Sequence, residues 1–254
     1  MRRCFTVVVA MVGLSLFFTG RSYAQGSLPP LAGSVYGAQA EGNPPTLSVG
    51  LGWPSFYTRF DFRSMGRFTL GLQGDLYYGM PVWGWASGFG FGFSVPMRIQ
   101  LLQRQKWALG LMLRPGMYLG FSNRWYWNWY WDEDMTVVGP FFGLGLVASV
   151  TPLRFLNVFF GINNTLHVLV VVPEHHDSVA DVFVPIMFFG GVELQVHRRI
   201  AVFSSLALGP TVGSYYSHCH NWINDGRYRV CTDWHDDVGA EFTFQFYTGA
   251  SFTF

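Results

Sequence analysis

The side chains best suited to chemistry lie near the C-terminal end of the chain, within residues 214–237. This segment holds histidines, cysteines and an acid in short succession: His218, Cys219, His220, Cys231, Asp233 and His235. Histidine nitrogens with a carboxylate, or with cysteine thiolates, are ligands that suit zinc. In an exported chain, however, an even pair of cysteines is typical of a disulfide, which uses both sulfurs. We therefore predict a disulfide between Cys219 and Cys231, and neither a metal nor another cofactor.

A second cluster of candidate residues lies in the middle of the chain. A run of aromatic residues over 125–131 is followed directly by Asp132, Glu133 and Asp134. Exposed aromatic rings stack well on ligands such as sugars. Trp and Tyr also collect at the headgroup level of membranes, where the ring body meets lipid and the polar edge meets water. The sequence leaves both interpretations of the aromatic run open.

Alternating strands are the elements that must position these clusters, and the last strand shows the pattern most clearly. Counting back by twos from Phe254 to Phe242, the residues are phenylalanine except for Ala250 and Thr248, whereas those between them are mostly polar. A period of two is typical of a strand with one face in lipid and the other in a polar interior. This strand is predicted at 238–254. The other strands are predicted at 46–53, 56–62, 67–78, 87–101, 107–119, 136–150, 155–170, 184–196 and 200–213.

The predicted fold is therefore all-β, an antiparallel transmembrane β-barrel of about ten strands. The sheet has to close because open edges would leave backbone groups unpaired in lipid. An eight-stranded barrel is the alternative if the short first hairpin does not belong to the wall. An even number of strands returns both chain ends to the periplasm.

The extreme C-terminus resembles the assembly signal of bacterial outer-membrane β-barrel proteins. The matching residues are Tyr247, Gly249, Phe252 and Phe254, and the last of them is the final residue of the chain. In that family the last strand is recognised by the barrel assembly machinery. The resemblance implies the same partner for this chain, the same role for these residues, and a location in the outer membrane.

The N-terminal part of the chain divides into a leader and an arm. Arg2 and Arg3 precede an uncharged apolar run over 5–18, which is typical of a cleaved secretory signal peptide and predicts one at 1–24. The run is too short to span a membrane as a helix. Residues 25–45 are rich in Gly, Pro, Ala and Ser without periodicity, so we predict a periplasmic N-terminal arm there. The outer-membrane β-barrel domain is predicted at 46–254.

Charge sorts between the two sets of connections. The short turns assigned to the periplasm carry basic residues without an acid: Arg63, Arg67, Arg104, Lys106, Arg154, Arg198 and Arg199. The longer outer loops carry mainly acids: Asp132, Glu133, Asp134, Glu174, Asp177, Asp181, Asp225, Asp233, Asp236 and Asp237. Such acids suit contact with the divalent cations that bridge lipopolysaccharide, or simply a solvated surface. Because basic and acidic residues nearly balance, the chain has no strong positive potential, and we expect no nucleic-acid partner.

The inner face of the predicted barrel carries ionisable residues of both signs. They are Arg59, Asp61, Asp75, Arg98, Arg114, Glu193 and Glu241. Because a small barrel has little room beyond its own side chains, this near balance favours a salt-bridged network that fills the lumen. A narrow polar channel is the alternative, because ionisable groups at membrane depth often mark function.

These observations predict a surface, interaction or envelope-structural protein of the outer membrane that is not an enzyme. A small passive pore for small solutes is the alternative. A second alternative is a surface protease, because Asp132-Glu133-Asp134 and Asp233-Trp234-His235 are similar to the Asp-x-Asp and Asp-x-His pairs of the ten-stranded omptin-type proteases. That resemblance implies that Asp233 orients His235 as a general base toward water. The oligomeric state, the ligand and any transported solute are open at this stage.

The predicted disulfide gives a direct chemical test. Because an oxidising surface favours the bond, we expect mass spectrometry of the unreduced, surface-exposed protein to find Cys219 and Cys231 joined. Alkylation of both residues without prior reduction would show free thiols and contradict the prediction.

Overall fold

The computed structural model describes residues 36–40, 43–79, 87–104, 106–122, 135–173, 178–224 and 229–254, and over 214–224 and 229–239 only the course of the backbone. Within these ranges the chain forms strands and turns. No helix in them is long and apolar enough to cross a membrane. The strands are β1 (Thr46–Trp53), β2 (Ser55–Asp61), β3 (Phe68–Gly79), β4 (Ser87–Ser94), β5 (Met97–Arg104), β6 (Trp107–Ser122), β7 (Met135–Leu153), β8 (Leu156–Pro173), β9 (Val179–His197), β10 (Ile200–Asn224) and β11 (Arg229–Thr253).

The strands form one closed antiparallel barrel. Each strand from β6 to β11 pairs with the next, β11 pairs with β1, and β1, β2 and β3 continue the ring. β4 and β5 lie end to end between β3 and β6. Ser94 at the end of β4 and Met97 at the start of β5 pair with β3 and β6 in the same register, so Val95 and Pro96 interrupt a single strand position. Proline has no N–H to donate, so it interrupts the ladder at this point. The wall therefore has ten strand positions, as predicted.

The first hairpin belongs to the wall, so the eight-stranded alternative is not adopted. Thr46 pairs with Asp61 and Leu51 with Phe56, and Pro54 alone separates β1 from β2. The apolar residues stand at odd numbers before Pro54 and at even numbers after Ser55, and a tight turn at this point accounts for the change. The connections between β2 and β3, β5 and β6, β7 and β8, and β9 and β10 lie at the opposite end, which we call the turn end. The other end is called the loop end.

The two faces of the wall differ as the alternation predicts. In β3, Gln73, Asp75 and Tyr77 are buried, whereas Leu72 and Leu76 between them are exposed. The same contrast recurs around the barrel, where the outer surface bears large apolar side chains such as Phe91, Phe93, Met117, Leu144, Leu146, Phe160, Phe188, Leu206, Phe242 and Phe246. An apolar outer band with a polar interior is the surface that hydrocarbon requires of a strand-built membrane protein.

The last hairpin differs from the prediction. The loop expected over 214–237 is largely strand, because β10 continues to Asn224 and β11 begins at Arg229. Each of these strands has 25 residues, far more than the roughly 9–11 that cross a bilayer. The segment 214–237 lacks the alternation of apolar and polar residues from which a strand is predicted. Asp181 was also assigned to an outer loop, but it is a buried residue of β9.

Inward glycines that touch neighbouring strands give a test of wall packing. A Cβ at Gly161 would overlap the carbonyl oxygen of Leu146 and the ring of Phe189, whereas a Cβ at Gly74 would meet nothing. We expect Gly161→Ala to lower the free energy of unfolding by about 1–3 kcal/mol, because backbone atoms cannot move aside freely. The control, Gly74→Ala at an outward glycine of β3, should change it by less than about 0.5 kcal/mol. Urea unfolding in lipid vesicles measures both, and equal values would contradict the packing described.

Candidate functional site in the lumen

The N-terminal arm enters the barrel at the turn end. Tyr36, Ala38 and Ala40 present backbone N–H groups at every second residue, as an extended segment does. These groups donate to Glu193 Oε1 at 2.9 Å, Ser149 Oγ at 3.0 Å and Gln100 Oε1 at 2.8 Å, respectively. The acceptors belong to β9, β7 and β5, so three separate parts of the wall hold the arm.

A fourth bond runs in the opposite sense, from the wall to the arm. The carbonyl oxygen of Gly37 accepts a hydrogen bond of 2.6 Å from Arg98 Nη1. Arg98 is only 2% exposed, and a buried guanidinium needs such partners because loss of its water is costly. The arm is therefore held through its backbone by both an anionic and a cationic side chain.

The side chains of the arm complete an apolar layer across the lumen. Tyr36 stacks on Phe159 with ring centroids 5.3 Å apart and also lies 5.2 Å from the ring of Phe203. Its hydroxyl forms a short hydrogen bond with the hydroxyl of Tyr57. Burial raises the pKa of Tyr36 to about 12, so the phenol stays protonated at neutral pH. Ala38 is fully buried against Phe159 and neighbouring wall residues.

Small wall residues leave the space that the arm occupies. Ala108 and Val147 pack against Ala38, and all three are 0% exposed. Gly110 lies so close that a Cβ there would be 3.2 Å from the carbonyl oxygen of Ala38. A larger side chain at Ala108 or Gly110 would compete with the arm for the same volume. Segment and wall are therefore complementary in shape.

Two ion pairs lie on the inner face of the wall. Arg59 Nη2 is 2.8 Å from Asp61 Oδ1, and its Nε donates to the same oxygen at 2.9 Å. Arg114 Nη2 is 2.7 Å from Asp75 Oδ2, and its Nε donates to Ser94 Oγ at 3.0 Å. Both carboxylates are nearly inaccessible, and each is compensated by its guanidinium as buried charge requires.

The remaining predicted luminal charges have other partners. Glu193 accepts from the arm at Tyr36 and from Asn157 Nδ2 at 2.7 Å, and Arg98 donates to the arm as described. Glu241 lies farther along β11, where its Oε2 is buried and has no hydrogen-bond partner among the described residues. Of the seven predicted residues, four thus form the two ion pairs described, Arg98 and Glu193 contact the arm, and Glu241 takes part in neither arrangement.

A cavity of about 180 Å³ extends from Tyr36 toward the loop end. Its wall combines aromatic and apolar groups, including Tyr77, Phe141 and Met187, with polar groups on several strands. His167 also lines it, is 5% exposed, and has an Nδ1 without a hydrogen-bond partner in the described part of the chain. Its ring lies 5.4 Å from that of Phe141.

Three of the four predicted signal residues lie on β11, and Phe254 follows its last residue. Phe252 and Phe254 project outward and are 41% and 70% exposed. Tyr247 projects inward, where its hydroxyl hydrogen-bonds Ser55 Oγ at 3.0 Å and its ring meets that of Tyr57. Gly249 lies against the backbone of Val49, which leaves no space for a side chain. Their role in assembly stays a prediction.

Several other predicted sites lie outside what the structure describes. These are the leader at 1–24, the aromatic run at 125–131, the acids at 132–134, and the side chains of the 214–239 segment. Its backbone register pairs Cys219 with Trp234 and Cys231 with Trp222, so the cysteines are not register partners. The disulfide stays a prediction. Among the described residues, no group of three or more His, Cys, Asp or Glu side chains is arranged to hold a metal ion.

The lodging of the arm in the lumen is the feature that sequence reasoning missed. A Gly- and Ala-rich segment without periodicity indicates a linker, and the bonds that fix this one come from its backbone. One signal was present on the wall. Buried polar residues, among them Gln100, Ser149 and Asn157, collect on the inner wall toward the turn end.

Comparisons with known proteins leave the family open. No family model matches this chain, and no curated protein matches it. One solved structure that matches is the outer membrane protease OmpT from Escherichia coli, at 13% identity and a TM-score of 0.40, covering 84% of this chain and 94% of that chain. At this identity and TM-score the likeness supports no inference about the activity of this chain.

The pair formed by Arg114 and Asp75 gives a test of luminal electrostatics. We expect Arg114→Gln to lower the free energy of unfolding by roughly 3 kcal/mol, because it leaves the buried Asp75 carboxylate uncompensated. Adding Asp75→Asn should restore part of that loss, and urea unfolding of the single and double variants measures the coupling. The control, Arg63→Gln, changes an exposed turn residue and should have an effect under about 0.5 kcal/mol. Additive effects of the paired substitutions would contradict the described pair.

Proposed function

We propose that this chain is an outer-membrane β-barrel whose lumen is closed by its own N-terminal arm, and that it acts as a non-conducting surface or interaction protein. Its activity would lie in what the loop end and the lumen bind rather than in free passage of solutes. The closed ten-strand barrel is the framework for this proposal.

Membrane insertion is supported by the outer surface of the barrel. Large apolar side chains alternate with inward polar ones on strand after strand, and exposed leucines and phenylalanines such as Leu76, Phe160 and Phe188 would be unfavourable in water. The terminal residues Phe252 and Phe254 fit the outer-membrane assembly signal. This signal and the basic turns favour a turn end that faces the periplasm.

Closure of the lumen rests on one observation, the lodging of residues 36–40. Four hydrogen bonds join the arm backbone to Glu193, Ser149, Gln100 and Arg98. If the arm left, each of these polar groups would need water or another partner in a confined space. The same segment fills the space beside Ala108 and Gly110, so it both blocks the lumen and stabilises it.

The two rival functions make different demands on this region. A passive pore requires a continuous polar path, which the layer of Tyr36, Phe159 and Phe203 obstructs. A surface protease requires Asp233 and His235 to face an acidic pair across the loop end, and those side chains are outside the described set. Neither rival receives specific support from the luminal geometry.

Planar-bilayer recordings test the proposal. The full chain should show no sustained openings, whereas a variant lacking residues 27–42 should show stepwise conductance because its lumen is unblocked. A second variant with residues 36–40 replaced by glycine and serine keeps the chain length and should also conduct. Tyr78→Ala, at an outward tyrosine of β3, is the matched control for loss of an aromatic side chain and should stay closed.

Two outcomes would overturn the proposal. Sustained, well-resolved openings of the full chain would support the passive pore. If both arm variants fold, as judged by circular dichroism, and neither conducts, wall side chains rather than the arm would close the lumen.

A further inference from the structure

We infer that the luminal cavity on the loop side of Tyr36 is a binding site for a small aromatic monocarboxylate. The inference rests on the arm being lodged as described, because Tyr36 forms part of the cavity surface. Three observations identify the ligand class: the sign of the charge that faces the cavity, the unused hydrogen-bond donors, and the size and composition of the apolar wall.

Cations, and no carboxylates, line the cavity within the described part of the chain. Arg59, Arg98 and Arg114 are among the lining residues, together with His167. The partner carboxylates lie behind the guanidiniums: the Asp75 side chain is 2% exposed against 36% for Arg114, and Asp61 is 4% exposed against 12% for Arg59. The cavity therefore meets the cationic side of each ion pair, and an anion is the complementary ligand.

Two of these guanidiniums retain donors for a ligand. Arg114 uses Nε and Nη2 for Ser94 and Asp75, and Arg59 uses Nε and Nη2 for Asp61. Their Nη1 groups make no hydrogen bond to a described residue. A guanidinium offers five N–H donors, and charge-assisted bonds to a carboxylate are among the strongest in proteins.

His167 belongs to the cavity wall. It is 5% exposed, and its Nδ1 is inaccessible within the wall, so the ring contributes surface to the cavity rather than a hydrogen bond to the ligand.

The rest of the wall suits an aromatic ring. Phe141 lies beneath the Arg114 guanidinium at 5.4 Å, and Tyr77, Tyr247, Met112 and Met187 add ring and thioether surface. Aromatic and methionine side chains favour flat apolar ligands. Apolar cavities of about 150 Å³ hold benzene, so about 180 Å³ accommodates a ring with one carboxylate.

Isothermal titration calorimetry of the full-length protein in detergent micelles, with benzoate as the probe, tests the site. Benzoate should bind at least tenfold more tightly than benzyl alcohol, which lacks the charge, and than acetate, which lacks the ring. Equal affinity for benzyl alcohol or for acetate would overturn the proposal, as would the absence of benzoate binding to the folded protein.

Matched variants locate the binding. Ala207→Phe places a ring in the cavity and should abolish benzoate binding, whereas Leu208→Phe, the adjacent outward residue of β10, should leave it unchanged. The charge-neutral double variant Arg114→Gln with Asp75→Asn should weaken benzoate at least tenfold and leave benzyl alcohol unchanged. Circular dichroism verifies folding of each variant. Unchanged benzoate affinity in folded Ala207→Phe would overturn the assignment.

The two proposals fail separately. A protein that conducts ions and still binds benzoate has an arm that lines the cavity without closing the lumen, so closure is rejected and the cavity site is kept. A protein that stays closed and shows no benzoate heat rejects the cavity site alone.

Discussion

Closure of the sheet between β1 and β11 is the constraint on which the rest of the molecule depends. Their ladder runs from Thr46 paired with Thr253 to Trp53 paired with Phe246, and it removes the only free edges that an open sheet would have. In hydrocarbon an unpaired backbone group costs several kcal/mol, so a strand-built wall is stable only as a ring. The same pairing fixes the faces of residues 246–253 in the last strand, which sends Phe246 outward and Tyr247 inward.

A closed ring has an interior whose polar groups need hydrogen-bond partners as much as the backbone groups of the wall do. Ion pairs neutralise some inward charge, and the arm supplies a further donor to Glu193 and an acceptor to Arg98. The arm reaches them because Ala108 and Gly110 leave room beside its backbone. Stability and closure of the lumen therefore come from the same contacts.

The sequence predicted what depends on a two-sided environment and missed what depends on contacts between distant segments. Strands such as 67–78 were visible because lipid and lumen impose opposite demands on successive residues. Arg59 and Asp61 lie two residues apart on one strand, so their pairing follows from parity. The partnership of Arg114 with Asp75 joins β6 to β3 across β4 and depends on the register of three strands. The arm was not predicted because its specific bonds are made by backbone atoms. The outer part of the β10–β11 ribbon was not predicted because residues 214–237 lack the apolar and polar alternation of a strand.

The most direct test of the central claim, that residues 36–40 lie inside the barrel, is a cysteine crosslink in native membranes. Ala38→Cys and Ser149→Cys are combined in a chain whose Cys219 and Cys231 are changed to serine, because the Ala38 N–H lies 3.0 Å from Ser149 Oγ. We expect these cysteines to form a disulfide in high yield under mild oxidation, detected by mass spectrometry. The control pairs Ala38→Cys with Leu208→Cys on the lipid face and should remain reduced. Free thiols at both 38 and 149 in the folded barrel would contradict the account.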